Sequence, residues 1–301
     1  MKLNKIFTIF GVKLFCAAAV IMLLCMAGGF QNSHAASVKV TVDGKVKVFE
    51  GKTKLPSSLQ RVEADLDNID LKIVPAKKQK ISLSYSVPCK NTESPLEYYT
   101  KDDVLYLKES GLQRLSNKEW KKKFGNKWWK HWPQVTLYLP EKTGIKNINV
   151  TKGDFLIGKE VHFADMDIQM NEGDIIMSGL NVSGTTRINM KEGDLIADDI
   201  TVSGSMQVTA KEGDIVANGL KVQGRLQINS NEGDIIVARI GKKYFDAMTI
   251  TANALDGEIF ATGDMKTGKV KEKGDGQYYN KNGTGTGKVD IVTKEGDILL
   301  N

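Results

Sequence analysis

The sequence predicts an all-β chain organised as a right-handed parallel β-solenoid (β-helix) with coils of about 20 residues, preceded by a mixed β capping region. Three observations predict it. First, the dipeptide Gly-Asp recurs at Gly153-Asp154, Gly173-Asp174, Gly193-Asp194, Gly213-Asp214 and Gly233-Asp234, always 20 residues on. Second, aligning these copies produces aliphatic columns: Ile148, Ile168, Ile188, Val208, Ile228, then Phe155, Ile175, Leu195, Ile215, Ile235, then Leu156, Ile176, Ile196, Val216, Ile236. Their β-branched, two-residue beat is that of strands. Third, two glycines per period leave no uninterrupted helix, and the leucine-rich frame of other short repeats is missing.

Each part of a coil has a local reason. Twenty residues give a contour of about 66 Å at about 3.3 Å per residue, enough for two or three short strands and tight corners. Gly-Asp suits one corner, since glycine accepts positive φ and Asp is expected to hydrogen-bond the backbone of its own turn. A second corner is expected at Gly184, Gly204 and Gly224. Further columns run Leu180, Ile200, Leu220, Ile240 and Val182, Val202, Val222, and the spacing places His162 in the valine column. After residue 240 the beat slips. Gly257 comes four residues late, which predicts a bulge at Lys242–Phe245, and residues 262–288 read as a loop or irregular hairpin. The motif returns at Lys294-Glu295-Gly296-Asp297-Ile298-Leu299-Leu300, where it is expected to close the stack.

The domain division follows. Residues 1–35 look like an export signal: Lys2, Lys5 and Lys13, then an apolar run of 17 residues from Leu14 to Phe30, then Ser33-His34-Ala35 as a cleavage site. A retained membrane anchor through residues 6–30 also fits. Met22-Leu23-Leu24 before Cys25 lacks the small residue of a lipidation site. Cleavage after Ala35 leaves Cys89 alone, so no intrachain disulfide is expected. Residues 37–147 form a non-repetitive β region, with strands expected at Val38–Val42, Val46–Phe49, Ile69–Ile73, Ile81–Val87, Val104–Leu107 and Val135–Leu139. Residues 148–301 form the solenoid. Leu139-Pro140-Glu141-Lys142-Thr143-Gly144 reads as the link between the two.

The candidate ligand-binding residues are concentrated in an insertion at 114–132. All four tryptophans lie there, at Trp120, Trp128, Trp129 and Trp132. Between Arg114 and Lys130 stand seven basic residues (Arg114, Lys118, Lys121, Lys122, Lys123, Lys127, Lys130) and one acid, Glu119, so this stretch alone carries +6, the net charge of the whole chain. On one helix, Trp120, Phe124, Trp128 and Trp132 would share a side and the lysines the rest, although Gly125-Asn126 favours a break. Indole beside lysine suits an anionic surface. The alternatives are that the tryptophans cap the open end of the solenoid and the lysines are merely solvated, or that the segment binds a carbohydrate or protein ligand. Nucleic acid is a poor partner for an exported chain.

Glu172, Glu192, Glu212 and Glu232 stack beside the Asp column. Like charges one strand apart repel by about 1 kcal/mol per pair in water. Lys191 and Lys211 can screen them, and Lys152 takes the glutamate position in the first coil. A row of Ca²⁺ ions is the weaker alternative, since the calcium-binding repeat is a nonapeptide richer in glycine. No other metal and no cofactor is expected. No Ser–His–Asp, Cys–His or zinc spacing is present, and the carboxylates repeat where an acid/base pair would be singular, so an enzyme is not expected.

Val62–Pro75, Val135–Pro140 and the Gly-Asp-Ile coils through Leu300 together resemble the putative adhesin family with β-strand repeats, domain of unknown function 4097. The resemblance covers most of residues 60–301 and does not extend to the Trp/Lys insertion. It implies an exported or membrane-anchored β-solenoid of the bacterial envelope, some of whose relatives are linked to envelope stress, and it supplies no catalytic residues. The function expected is therefore that of a non-enzymatic, adhesin-like envelope protein whose segment Lys118–Trp132 meets lipid headgroups or cell-wall polymer. An accessory or scaffold role in envelope-stress signalling, and a carbohydrate-active enzyme, are the alternatives.

Overall fold

The computed structural model describes residues 39–43, 45–141, 143–239 and 246–301, with side chains at 43 and 127–129 excepted. The export segment 1–35 and the bulge expected at 242–245 lie outside the described residues. In chain order the elements are β1 (Lys39–Asp43), β2 (Val46–Lys54), β3 (Arg61–Asp65), β4 (Asp70–Pro75), β5 (Ser82–Cys89), β6 (Leu96–Lys101) and β7 (Val104–Glu109). A helix, α1 (Asn117–Phe124), and a 3-10 helix (Gly125–His131) precede β8 (Gln134–Leu139). The repeats supply β9 (Asn147–Lys152), β10 (Phe155–Ile157), β11 (His162–Phe163), β12 (Met166–Glu172), β13 (Ile175–Ser178), β14 (Asn181–Val182), β15 (Thr186–Glu192), β16 (Leu195–Asp198) and β17 (Thr201–Val202). They continue as β18 (Met206–Glu212), β19 (Ile215–Asn218), β20 (Lys221–Val222), β21 (Arg225–Glu232) and β22 (Ile235–Ala238). The chain ends with β23 (Thr249–Asp256), β24 (Ile259–Ala261), β25 (Lys269–Lys273), β26 (Gly276–Lys281), β27 (Lys288–Glu295) and β28 (Ile298–Leu300).

These strands stack into two long sheets and one narrow one, an architecture of the β-solenoid kind. The first sheet runs β1-β2-β5-β8-β4-β10-β13-β16-β19-β22-β28-β24 and the second β25-β26-β23-β27-β21-β18-β15-β12-β9-β3-β7-β6. The narrow sheet is β11-β14-β17-β20. Through the repeats each residue pairs in parallel with the one 20 positions on, as in Ile168↔Ile188↔Val208↔Ile228. The inward columns, Ile148 to Ile228 and Phe155 to Ile235, are almost fully buried, and one apolar core runs from Phe49 to Leu300. The column Leu156, Ile176, Ile196, Val216, Ile236 faces outward.

The Gly-Asp corner joins the second sheet to the first, and its chemistry differs from the expectation. Each Asp carboxylate reaches along the stack, not into its own turn. Asp154 Oδ1 accepts the Asp174 N–H (3.1 Å), and the same bond links 174 to 194, 194 to 214 and 214 to 234 (2.8–2.9 Å). The glycines beneath lie at positive φ, between +95° and +123° from Gly153 to Gly233. A Cβ on Gly213 would stand 2.1 Å from the Gly193 carbonyl oxygen, so the stacking itself excludes a side chain.

Spatial order departs from chain order at both ends. Strands β3 and β4 stack directly on β9 and β10, and β7 and β8 stack on β3 and β4. The region before residue 147 thus contributes two further strand pairs to the same sheets. At the other end, β27 and β28 do not close the stack. They slot between β21/β22 and β23/β24. The reason lies in the corner: Asp297 N–H bonds Asp234 Oδ1, and Asp297 Oδ1 then takes the Glu258 N–H (both 2.8 Å), so the complete Lys-Glu-Gly-Asp copy sits inside and the degenerate Asp256-Gly257-Glu258 copy outside. Residues 262–288, expected to be irregular, hold a 3-10 turn and the β25–β26 hairpin, which extends the second sheet antiparallel to β23. His162 also moves: it is exposed opposite Asn181, and Phe163 fills the valine column, because the first coil carries one residue more between β10 and β11 and one fewer between β11 and β12.

Two substitutions test this packing in chemical denaturation. Gly213→Ala should destabilise by more than about 1 kcal/mol, because the new Cβ meets both positive φ and a carbonyl. Thr186→Val should stabilise by about 1 kcal/mol, since the fully buried Thr186 hydroxyl has no hydrogen-bond partner among the described residues.

Candidate functional site: a basic corner extension

The Trp/Lys insertion is an enlarged corner. It joins β7 to β8, the position filled by Gly153-Asp154 between β9 and β10. It therefore projects from the same edge of the stack as the Gly-Asp ladder, at the amino-terminal end.

Local sequence explains its form. Ser116 and Glu119 make a capping box at the start of α1, the Ser116 N–H donating to Glu119 Oε2 (2.8 Å) and the Glu119 N–H to Ser116 Oγ. Lys90 adds an ion pair to Glu119 at 2.7 Å, and these contacts, Lys90 first, hold the Glu119 carboxyl down at about 2. Asn91 clamps the approach, donating to the Gly111 carbonyl (2.9 Å) and accepting the Gln113 N–H (2.7 Å). The helix stops at Gly125, φ +65°, whose N–H bonds the Lys121 carbonyl, and the chain tightens into the 3-10 helix.

That break overturns the single amphipathic helix. Trp120 and Phe124 share a helix face, with ring centres 5.1 Å apart, but Trp132 comes back to Trp120 (5.9 Å, stacked) through the 3-10 turn. Trp120 is buried at 3 % exposure with Val46 and Leu115, Phe124 packs on that cluster, and His131 stacks on Phe124 at 4.3 Å. Trp120 and, partly buried against it, Phe124 thus form the core of the extension. Lys118, Lys121, Lys122 and Lys130 are exposed and Lys123 is half-buried. Lys127, Trp128 and Trp129 lie on the 3-10 helix, and their side chains lie outside the described residues.

Sequence patterning missed the residue that joins the extension to the stack. Asp70 precedes Leu71 as Asp154 precedes Phe155, so it heads the Asp column, and Leu71↔Phe155 pairing places it there. It accepts a hydrogen bond from the Trp132 side chain, and Arg114 stands 5.6 Å from the Trp132 ring. Burial, and then the neighbouring Asp154 charge, push the Asp70 carboxyl up to about 7, against the Trp132 hydrogen bond and Arg114. The signal was present in Ile69-Asp70-Leu71-Lys72-Ile73, which shares with Gly153-Asp154-Phe155-Leu156-Ile157 the Asp and the two inward apolar positions but lacks the glycine.

The glutamate column is observed as Lys152, Glu172, Glu192, Glu212, Glu232, Glu295 and Asp256 in spatial order. Lys152 bonds Glu172 (2.9 Å) and Lys211 bonds Glu212 (2.6 Å), each raising its lysine's pKa. Among the described residues no three His, Cys, Asp or Glu side chains gather as a metal site; in the row itself Glu172, Glu192 and Glu232 are exposed and Glu212 is half-buried. Cys89 is buried with a raised pKa, chiefly from desolvation. No helix among the described residues is long and apolar enough to cross a membrane.

The corner-linked stack with its row of Gly-Asp turns defines a β-solenoid-like repeat domain. Residues 153–301 match the family model described as Toastrack DUF4097, and this part of the chain is a DUF4097 toastrack domain. A crystal structure from Bacteroides fragilis NCTC 9343, described as a putative adhesin, shares the fold: 15 % identity, TM-score 0.51, covering 84 % of this chain and 97 % of that one. A putative cell adhesion protein from Clostridium sporogenes ATCC 15579 aligns over 87 % of this chain and 99 % of its own at 13 % identity and TM-score 0.33. A putative lipid binding protein from Parabacteroides distasonis ATCC 8503 aligns over 84 % and 97 % at 15 % identity and TM-score 0.35. No curated protein matches the chain.

Asp70 yields a pH prediction. Its folded pKa, about 7, lies above the ordinary 3.8, so the folded state holds a proton that the unfolded state has lost across this window. Its stabilising contribution is complete below about pH 4 and is lost as pH rises through about 7. Asp70→Asn should therefore show a smaller fall in unfolding midpoint between pH 4.5 and 7.5 than the parent, followed by tryptophan fluorescence in urea.

Proposed function

We propose that this chain is a non-enzymatic, adhesin-like protein of the bacterial cell surface. It is exported through residues 1–35, its right-handed solenoid of about 20-residue coils presents a stacked flank, and its basic corner extension rests on an anionic envelope surface. The observation that carries this is the sorting of the extension: Trp120 and Phe124 are turned into a small core, while Lys118, Lys121, Lys122 and Lys130 stand outside it. The lysines sit on a folded, clamped element, so little conformational entropy is lost on contact with lipid headgroups or cell-wall polymer. The fold shared with the Bacteroides fragilis protein supports a surface location.

Replacing Lys118, Lys121 and Lys122 together by Glu should weaken binding to anionic vesicles or purified cell wall about a hundredfold or more, at about 1 kcal/mol per lysine. Co-sedimentation of residues 37–301 at low and high salt measures it. Binding that is indifferent to both salt and the triple change would remove the extension from this role.

A further inference from the structure

The two ends of the stack are stepped in opposite senses. Beyond the outermost amino-side pair, β7 and β8, the first sheet continues through β5, β2 and β1, whereas the second adds only β6. Beyond the outermost carboxyl-side pair, β23 and β24, the second sheet continues through β26 and β25, whereas the first stops at β24. The first sheet therefore protrudes by two strands at one end and is recessed by two at the other.

The recess is a shallow groove of mixed polarity. Ile259, Phe260, Ala261 and Val270 line it together with Thr262, Lys266 and Gly268, and Phe260 and Val270 are 46 % and 41 % exposed. Among the described residues β24 pairs only with β28, so its outer edge offers backbone groups, and Gln277 Oε1 takes the Ile259 N–H (2.7 Å). At the protruding end β1 pairs, among the described residues, only with β2, and Val40 and Val42 are 46 % and 60 % exposed. The hairpin is braced from inside, since Val46 packs on Leu115 and Trp120 of the corner extension. Exposed sheet edges are normally guarded by charge. The edge strand β25 is so guarded, by exposed Lys269, Lys271 and Lys273, but Ile259-Phe260-Ala261 carries no charge.

We infer that the chain assembles head to tail, β1 of one copy adding to β24 of a second copy. Strand direction permits it. β1, β2, β5 and β8 are successively antiparallel, and β8 is parallel to the stack that ends in β24, so β1 would meet β24 antiparallel. The added strand extends the recessed sheet and sets Val40 and Val42, which share a face with Phe49, across the recess from Val270, which shares a face with Tyr279. Because the two surfaces differ, the contact does not close on itself in a dimer but repeats into a chain or ring. Lysines lie near both surfaces, Lys39 and Lys45 at the head and Lys266 and Lys269 at the tail, so salt should strengthen this contact, whereas it weakens binding of the basic extension to anionic material.

The test uses the full chain in non-ionic detergent, with Cys16 and Cys25 changed to Ser. A Val42→Cys copy mixed with an Ala261→Cys copy should give a one-to-one adduct with a short bismaleimide, and neither copy should do so alone. In sedimentation velocity the parent should show concentration-dependent larger species favoured by salt, and Val42→Lys and Val270→Lys should each weaken association by about tenfold or more. Both sites are exposed, so neither change threatens folding, and both variants keep residues 1–38, which controls for association through the apolar leader. A single species at every concentration, no mixed adduct, or association unchanged in both lysine variants would overturn the inference.

Discussion

Everything in this molecule depends on how one corner stacks on the next. The glycine removes the side chain that would collide with the carbonyl beneath it, and the following Asp carries a hydrogen bond from one coil to the next. A carboxylate that accepts a backbone N–H stabilises the anion as well as the turn, which lets a column of like charges persist on an exposed edge. The aliphatic columns behind the corner are then held in register by geometry, since a slip of one residue would turn every inward side chain to solvent. The core is a consequence of this ladder as much as a cause of it.

The ladder also ranks the copies of the motif by position. Interior coils need both faces of the corner to be competent: a glycine that accepts the coil below and an Asp that serves the coil above. Terminal coils need only one. Asp70, preceded by Ile69 in place of glycine, lies near one end, and Asp256-Gly257-Glu258 lies at the other. This explains why the last motif in the chain is not last in space. A complete copy is worth more between two neighbours than at an end, and the chain returns after the β25–β26 hairpin to place it there.

Much of the fold was legible in the sequence because its signal is repetitive: the period, the corner residues and the buried columns all recur, and each copy corroborates the others. The six expected amino-terminal strands correspond to β1, β2, β4, β5, β7 and β8, since alternation is a local property. What was not legible is non-local. Nothing in Arg61–Asp65 or Lys288–Leu300 states which coil it will lie against, because any aliphatic strand of the right length is compatible with any other. The candidate site divides the same way. The basic charge of residues 114–130 was apparent, but indoles suited to a ligand are equally suited to a small core, and only Val46 and Leu115 beneath Trp120 decide between the two.

The position of the basic extension follows from the same constraint. Between any two interior coils, an insertion as long as residues 110–133 would remove a glycine from the column and interrupt the hydrogen-bonded carboxylates on both sides of it. Between β7 and β8 it interrupts nothing, because the ladder begins one coil later, and the extension replaces the missing corner with contacts of its own. Trp132 donates to Asp70, the free head of the acidic column, so the indole supplies there the hydrogen bond that a backbone N–H supplies in every coil from Asp154 onward. An architecture that tolerates no variation along its length thus concentrates variation at its ends. Binding surfaces that distinguish one such solenoid from another belong there, where a corner can be lengthened without cost to the stack.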